Sequence, residues 1–139
     1  VIRLQLDLMQ VILFAVAMSL MADVLALPTV RCRVTQAGET QTIDTRPAAM
    51  PYEFMAHDIR GHFRFKPVVV GDAGYVDYIK LYTYYQSAEQ PVLMHVAKFA
   101  RPGLPRGAEV IPLSGVVQLI SPRLGRELEY ACTLIEAGP

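Results

Sequence analysis

Tryptophan is absent from this 139-residue chain, and cysteine occurs only twice. Helix-period patterning is missing as well. After Pro28 no stretch keeps apolar residues at three- and four-residue spacing for three turns, so there is no crossover helix and a parallel βαβ architecture is excluded. No internal repeat, low-complexity tract or block of one charge is present. Basic and acidic side chains balance at 13 each, so neither nucleic acid nor an anionic membrane surface is an expected partner. A glycine-rich phosphate loop is also missing, and the GDAG at 71–74 reads as a hairpin turn. Beyond residue 26 the serines number three, Ser87, Ser114 and Ser121, none of them in a nucleophile elbow. Glu127 and Glu129 share one side of a strand, where two carboxylates normally form a solvated face. Together these shortages lead us to expect no enzyme and no cofactor.

What is present begins with an apolar leader. Arg3 is the lone cation before residue 27, and Leu8 to Met21 is apolar apart from Gln10 and Ser19. Val24 and Ala26 fit the small-residue pattern of a signal-peptidase site, which predicts a signal peptide over 1–26 cleaved after Ala26. The run is shorter than the roughly 20 residues that span a bilayer, and Asp23 breaks it. The alternatives are an uncleaved anchor or a buried helix, although the run shows no amphipathic stripe. No cysteine stands at the cleavage point for lipid attachment. The expected product is therefore a periplasmic or secreted domain over 27–139, without stable membrane insertion once the signal is removed. Taking Arg3, Asp7 and Asp23 away with the leader leaves 113 residues carrying 12 basic and 11 acidic side chains, enough for a single core.

Within that domain, short alternating runs are separated by Gly and Pro clusters, which is an all-β signature. The runs are Thr29 to Thr35, a short one near Thr40 to Asp44, a candidate at Tyr52 to Met55, and HFRFKPVVVG from His62, where Pro67 marks an edge or a bulge. YVDYIKLYTYY, VLMHVAKFA, Gly115 to Ile120 and Glu127 to Leu134 complete them. RPGLPRGAEVIP reads as a long connection, a crossover between two sheets. About seven strands in this length predict an antiparallel β-sandwich, immunoglobulin-like in architecture, following the N-terminal signal helix.

Cys32 and Cys132 are a hundred positions apart, and an exported domain would join them. Cys32 shares its apolar side with Val30 and Val34, and Cys132 shares its own with Leu128, Tyr130 and Leu134. Both thiols are therefore expected to point into the core, stapling the first strand to the last. Tyr130-Ala131-Cys132 resembles the immunoglobulin placement of a tyrosine two residues before the second bridge cysteine. The chain departs from that family in lacking the packing tryptophan and in ending seven residues after Cys132, so the likeness extends to architecture and not to homology. MPYEF, HFRFKPVVVGD, VDYIKLYTYY and SPRLGRELEYACTL resemble segments of small exported proteobacterial β-domain proteins over about two-thirds of the chain. That resemblance implies export and carries no activity or site residue.

Two candidate sites remain. Tyr78, Lys80, Tyr82 and Tyr84 alternate with Ile79, Leu81, Thr83 and Tyr85. The second set is the better core face, which leaves three tyrosines and a lysine outward as a stacking platform for a glycan or an envelope protein. The plainer reading is cross-strand aromatic packing that stabilises the sheet. The alternative site is a copper-type centre built on His57, His62 and Met55. Its residues match no defined metal motif and are equally well surface side chains. The expected role is recognition by a sheet face or edge, with the edge supplied by the Pro67 strand.

Overall fold

The structure, a computed structural model, describes residues 2–3 and 26–138. The expected signal helix falls almost wholly on residues outside this set.

Eight strands follow one another: β1 (Leu27–Gln36), β2 (Glu39–Thr45), β3 (His57–Ile59), β4 (Phe63–Gly71), β5 (Val76–Gln86), β6 (Pro91–Ala100), β7 (Ile111–Ile120) and β8 (Glu127–Ala137). They form two four-stranded antiparallel sheets, ordered β2-β1-β8-β7 and β3-β4-β5-β6. The predicted β-sandwich is thus what the chain forms. Tight turns join β1 to β2 and β4 to β5. The β1–β2 turn places Ala37 and Gly38 at φ of 51° and 79°, the left-handed pair that a two-residue hairpin with native twist requires. The Pro/Gly-rich segment 101–110 carries the chain from β6 in one sheet to β7 in the other, as its composition indicated.

Alternation decides which side of each strand is buried. Val30, Cys32 and Val34 on β1 meet Leu128, Tyr130, Cys132 and Leu134 on β8. Opposite them lie Ile59, Phe63, Phe65, Val69, Ile79 and Leu81 from the second sheet. Phe65 packs its ring 5.0 Å from that of Tyr130, locking sheet to sheet at the centre. Burial pushes the Tyr130 phenol above its ordinary pKa, and its hydroxyl lies 3.3 Å from His95 Nδ1 on the facing sheet. Tyr130 therefore spans the core and does not form the corner that its spacing from Cys132 resembled.

Two local expectations change. Tyr52 to Met55 is no strand: Pro51–Glu53 forms a 3-10 turn, because Pro51 fixes φ and supplies no N–H to a ladder. β7 also begins at Ile111, earlier than expected, since the ladder with β8 slips between Pro112 and Gly115 and resumes beyond. At that slip the Cys132 N–H donates to Ser114 Oγ at 3.0 Å, so a side chain replaces a missing ladder bond.

Pro67 lies inside β4, opposite Leu81, and the bulge falls later, at Val70/Gly71. The Val69 carbonyl accepts from the Ala48 N–H on the outer edge of the sheet. Two residues earlier, by strand alternation, the Pro67 nitrogen faces that same edge, so no ladder bond to β5 is lost.

Thr83 is fully buried, and its Oγ1 has no hydrogen-bond partner among the described residues. An unpaired buried hydroxyl is costly, so Thr83→Val, close to it in shape, should raise stability by about 1 kcal/mol in urea unfolding. An unchanged or lower midpoint would show that the hydroxyl is satisfied.

Candidate functional site

The side chains of β5 divide as their alternation predicts. Ile79, Leu81 and Thr83 are buried in the core, whereas Tyr78, Lys80, Tyr82 and Tyr84 lie half-buried on the outer side of the second sheet. Register supplies their neighbours. On β4, Val70, Val68, Lys66 and Arg64 stand directly opposite Tyr78, Lys80, Tyr82 and Tyr84. On β6, Ala100, Lys98, Val96 and Leu93 do the same from the other flank. Residues directly opposite share a face, so one surface gathers three tyrosines, four cations and several small apolar side chains.

This surface is not flat. Val68 is 2% exposed yet stands outside the main core cluster, so it forms the floor of a depression. Pro51 and Tyr52, from the 3-10 turn, help wall a groove of about 350 Å³ with Lys66, Tyr78, Lys80, Tyr82 and Tyr84. Tyr52 lines the groove and is 89% exposed, outside the core.

The aromatic geometry is specific. The Tyr82 and Tyr84 rings lie 15° from parallel with centroids 6.3 Å apart. Lys80 Nζ stands 5.4 Å from the centroid of the Tyr78 ring, and Lys98 Nζ stands 5.7 Å from it, within cation–π range. Burial, and then the neighbouring Tyr82, push the Tyr84 phenol above its ordinary pKa, so it stays a hydroxyl donor into alkaline solution. Each hydroxyl donates and accepts, and each ring offers an apolar plane.

The sequence placed Tyr78, Lys80, Tyr82 and Tyr84 on one face, and the structure does too. It missed Lys98, Val68 and Tyr52. Lys66 was legible only as a polar side chain of its own strand. Pairing across strands, which alternation within a single strand does not reveal, brings these residues together.

The three candidate metal ligands are placed differently. Met55 is 79% exposed, past the 3-10 turn. His57 opens β3, exposed and opposite Phe65, while His62 precedes Phe63 at the other end of the same hairpin. Three residues of strand between those ends separate their backbones by about 10 Å. His95 lies inside the sandwich against Tyr130. Among the described residues no group of three or more His, Cys, Asp or Glu side chains gathers as a metal site.

The edge of the Pro67 strand is mostly occupied. β3 covers Phe63 to Phe65, and Ala48 pairs at Val69 and Gly71. The gap between them is too short for an added strand.

The Cys32–Cys132 bridge is formed, with its Cα atoms 4.1 Å apart and both side chains at most 1% exposed. It joins β1 to β8 as direct cross-strand partners within one sheet, unlike the immunoglobulin bridge between sheets. No family model, curated protein or solved structure matches the chain.

Proposed function

We propose that the chain is an exported, non-catalytic binding domain of the bacterial envelope, recognising a glycan or a partner protein through the outer face of the β3-β4-β5-β6 sheet. The observation that carries this reading is the tyrosine-walled groove over Val68, with Tyr78, Tyr82 and Tyr84 turned away from the core.

The buried bridge is compatible with an oxidising compartment, in keeping with the leader expected over 1–26 and the resemblance to exported proteobacterial β-domain proteins. The non-catalytic reading rests on how the nucleophiles are used. Both thiols are consumed by the bridge. Ser87 Oγ donates to the Gln90 carbonyl, Ser114 Oγ accepts from the Cys132 N–H, and Ser121 Oγ accepts from the Arg126 N–H. These three hydroxyls thus hydrogen-bond within turns or at a bulge.

Tyrosine emission gives a direct test, since the chain has seven tyrosines and no tryptophan to mask them. Titration against a panel of envelope glycans and peptides should perturb that emission. Tyr82→Ala/Tyr84→Ala should weaken binding by about thirtyfold or more, the effect of removing a hot-spot aromatic. Undiminished binding by a folded double variant would move the site elsewhere.

A further inference from the structure

We infer that the groove is selective for an acidic polysaccharide, a uronate-bearing chain whose carboxylates sit between Lys80 and Lys98 while its sugar rings lie on the tyrosines. This deepens the reading of the tyrosine face as the binding surface and rests on it.

The argument starts from an electrostatic oddity. Lys80 and Lys98 are direct cross-strand partners, and like charges placed opposite one another destabilise a sheet. Both ammonium groups nevertheless approach the same Tyr78 ring, at 5.4 and 5.7 Å. Among the described residues the ion pairs are Arg31–Asp44 and Arg60–Glu39, so neither lysine has a carboxylate partner. The contrast with the other sheet is informative. There Arg31 meets Asp44 with two hydrogen bonds of 2.8 and 2.7 Å, holding the Asp44 carboxyl below its usual pKa. On the tyrosine face stand Arg64, Lys66, Lys80 and Lys98. The acids of the same sheet are Asp58, whose Oδ2 already accepts from the Gly61 N–H at 3.1 Å, and Asp77 on β5, and neither forms an ion pair with these cations. Four cations without an ion-pair partner among the described residues make this face complementary to an anionic ligand.

The position of the charge on the sheet favours a saccharide over a peptide. The groove is lined by β4, β5 and the 3-10 turn, and β5, which carries its tyrosines, is paired on both sides. A free edge of this sheet lies on the far side of β6, outside the groove lining. A peptide docking by strand addition draws its affinity from main-chain bonds at such an edge. A polysaccharide needs ring planes, hydroxyl partners and point charges, which Tyr78, Tyr82, Tyr84, Lys66, Lys80 and Lys98 supply. Lysine suits this task, since its ammonium is a compact charge with three rotatable donors.

The test uses the full chain and three probes: alginate as the polyuronate, dextran as a neutral polysaccharide, and poly-glutamate as an acidic peptide. Alginate should bind, weaken with added salt, and lose about tenfold or more in affinity on Lys80→Gln/Lys98→Gln, as expected for lost charge-assisted contacts. Thermal unfolding of that variant should match or exceed the parent, because a repulsive cross-strand pair is removed from the outer face of the sheet. Dextran binding as tightly as alginate, lost with Tyr82→Ala but indifferent to the lysines, would overturn the acidic selectivity and leave the tyrosine face standing. Poly-glutamate binding as tightly as alginate would overturn the saccharide class. Alginate binding unaffected by either the lysine or the tyrosine variants would overturn both readings.

Discussion

Replacing both bridge cysteines, as Cys32→Ala/Cys132→Ala, is expected to lower stability by about 3–5 kcal/mol. The bridge closes a loop of a hundred residues, and the chain-entropy model gives about 4.7 kcal/mol for a loop of that length. Removing both sulfurs avoids leaving a buried free thiol and isolates the effect of the cross-link. The native ladder is not the expected source of the loss, because β1 and β8 pair through their backbones from Leu27–Ala137 through Thr35–Glu129. The change acts on the unfolded chain, whose two ends are released. For a domain whose total stability is of the order of 5–15 kcal/mol, about a fifth or more of the margin would go, with a fall in Tm of about 10–20 °C. Urea unfolding of the parent, the reduced parent and the variant measures it. A steeper denaturant dependence in the variant should accompany the loss, since its unfolded state is more expanded. A change below about 1 kcal/mol would mean that the unfolded chain keeps its ends together without the bridge. The sulfurs are buried, so dithiothreitol should reduce the native protein only after it opens.

The second large effect is expected at the turn leading into the tyrosine strand. Gly71 has φ of +153°, and a Cβ built there would press into the Tyr75 carbonyl oxygen and lie 2.8 Å from Val76 Cα. Both neighbours are backbone, so no side-chain rotation relieves the clash. The same residue is pinned from the other side, its N–H donating to the Ala48 carbonyl at 3.0 Å. Gly71→Ala must therefore open the hairpin and strain the Asp72 N–H to Tyr75 carbonyl bond of 2.8 Å. A cost of about 3 kcal/mol is expected, at the upper end for a strained backbone position. Tyr78, the end of the groove near this turn, should shift with it, so glycan affinity should fall alongside stability. Gly103→Ala is the control: nothing lies within 4 Å of its built Cβ and its φ is not positive, so its midpoint should hold or rise slightly. Equal midpoints for Gly71→Ala and the parent would show that the hairpin adapts freely.

Much of this architecture was legible along the chain because strands alternate. Val30, Cys32 and Val34, or Ile79, Leu81 and Thr83, can be assigned to the core from spacing alone, since a one-residue slip would turn the whole set toward water. The 101–110 crossover was visible in its prolines and glycines. The segment at Tyr52 to Met55 was not legible, because a tyrosine and a phenylalanine beside a proline read equally well as a short strand. The fate of Pro67 turned on which edge its nitrogen faced. That depends on the neighbouring strands and not on β4.

The sequence alone therefore determined the sheet class, the bridge partners and the outward set Tyr78, Lys80, Tyr82 and Tyr84. These are properties of one strand at a time, set by a two-residue period and by the presence of only two thiols. The tertiary structure decided what stands beside them. It set Lys98 against Lys80, sank Val68 beneath the tyrosines and kept His57 and His62 at opposite ends of one hairpin. Those placements depend on the register between strands. Register is fixed by turns, bulges and the shared core acting together, and no single strand encodes it.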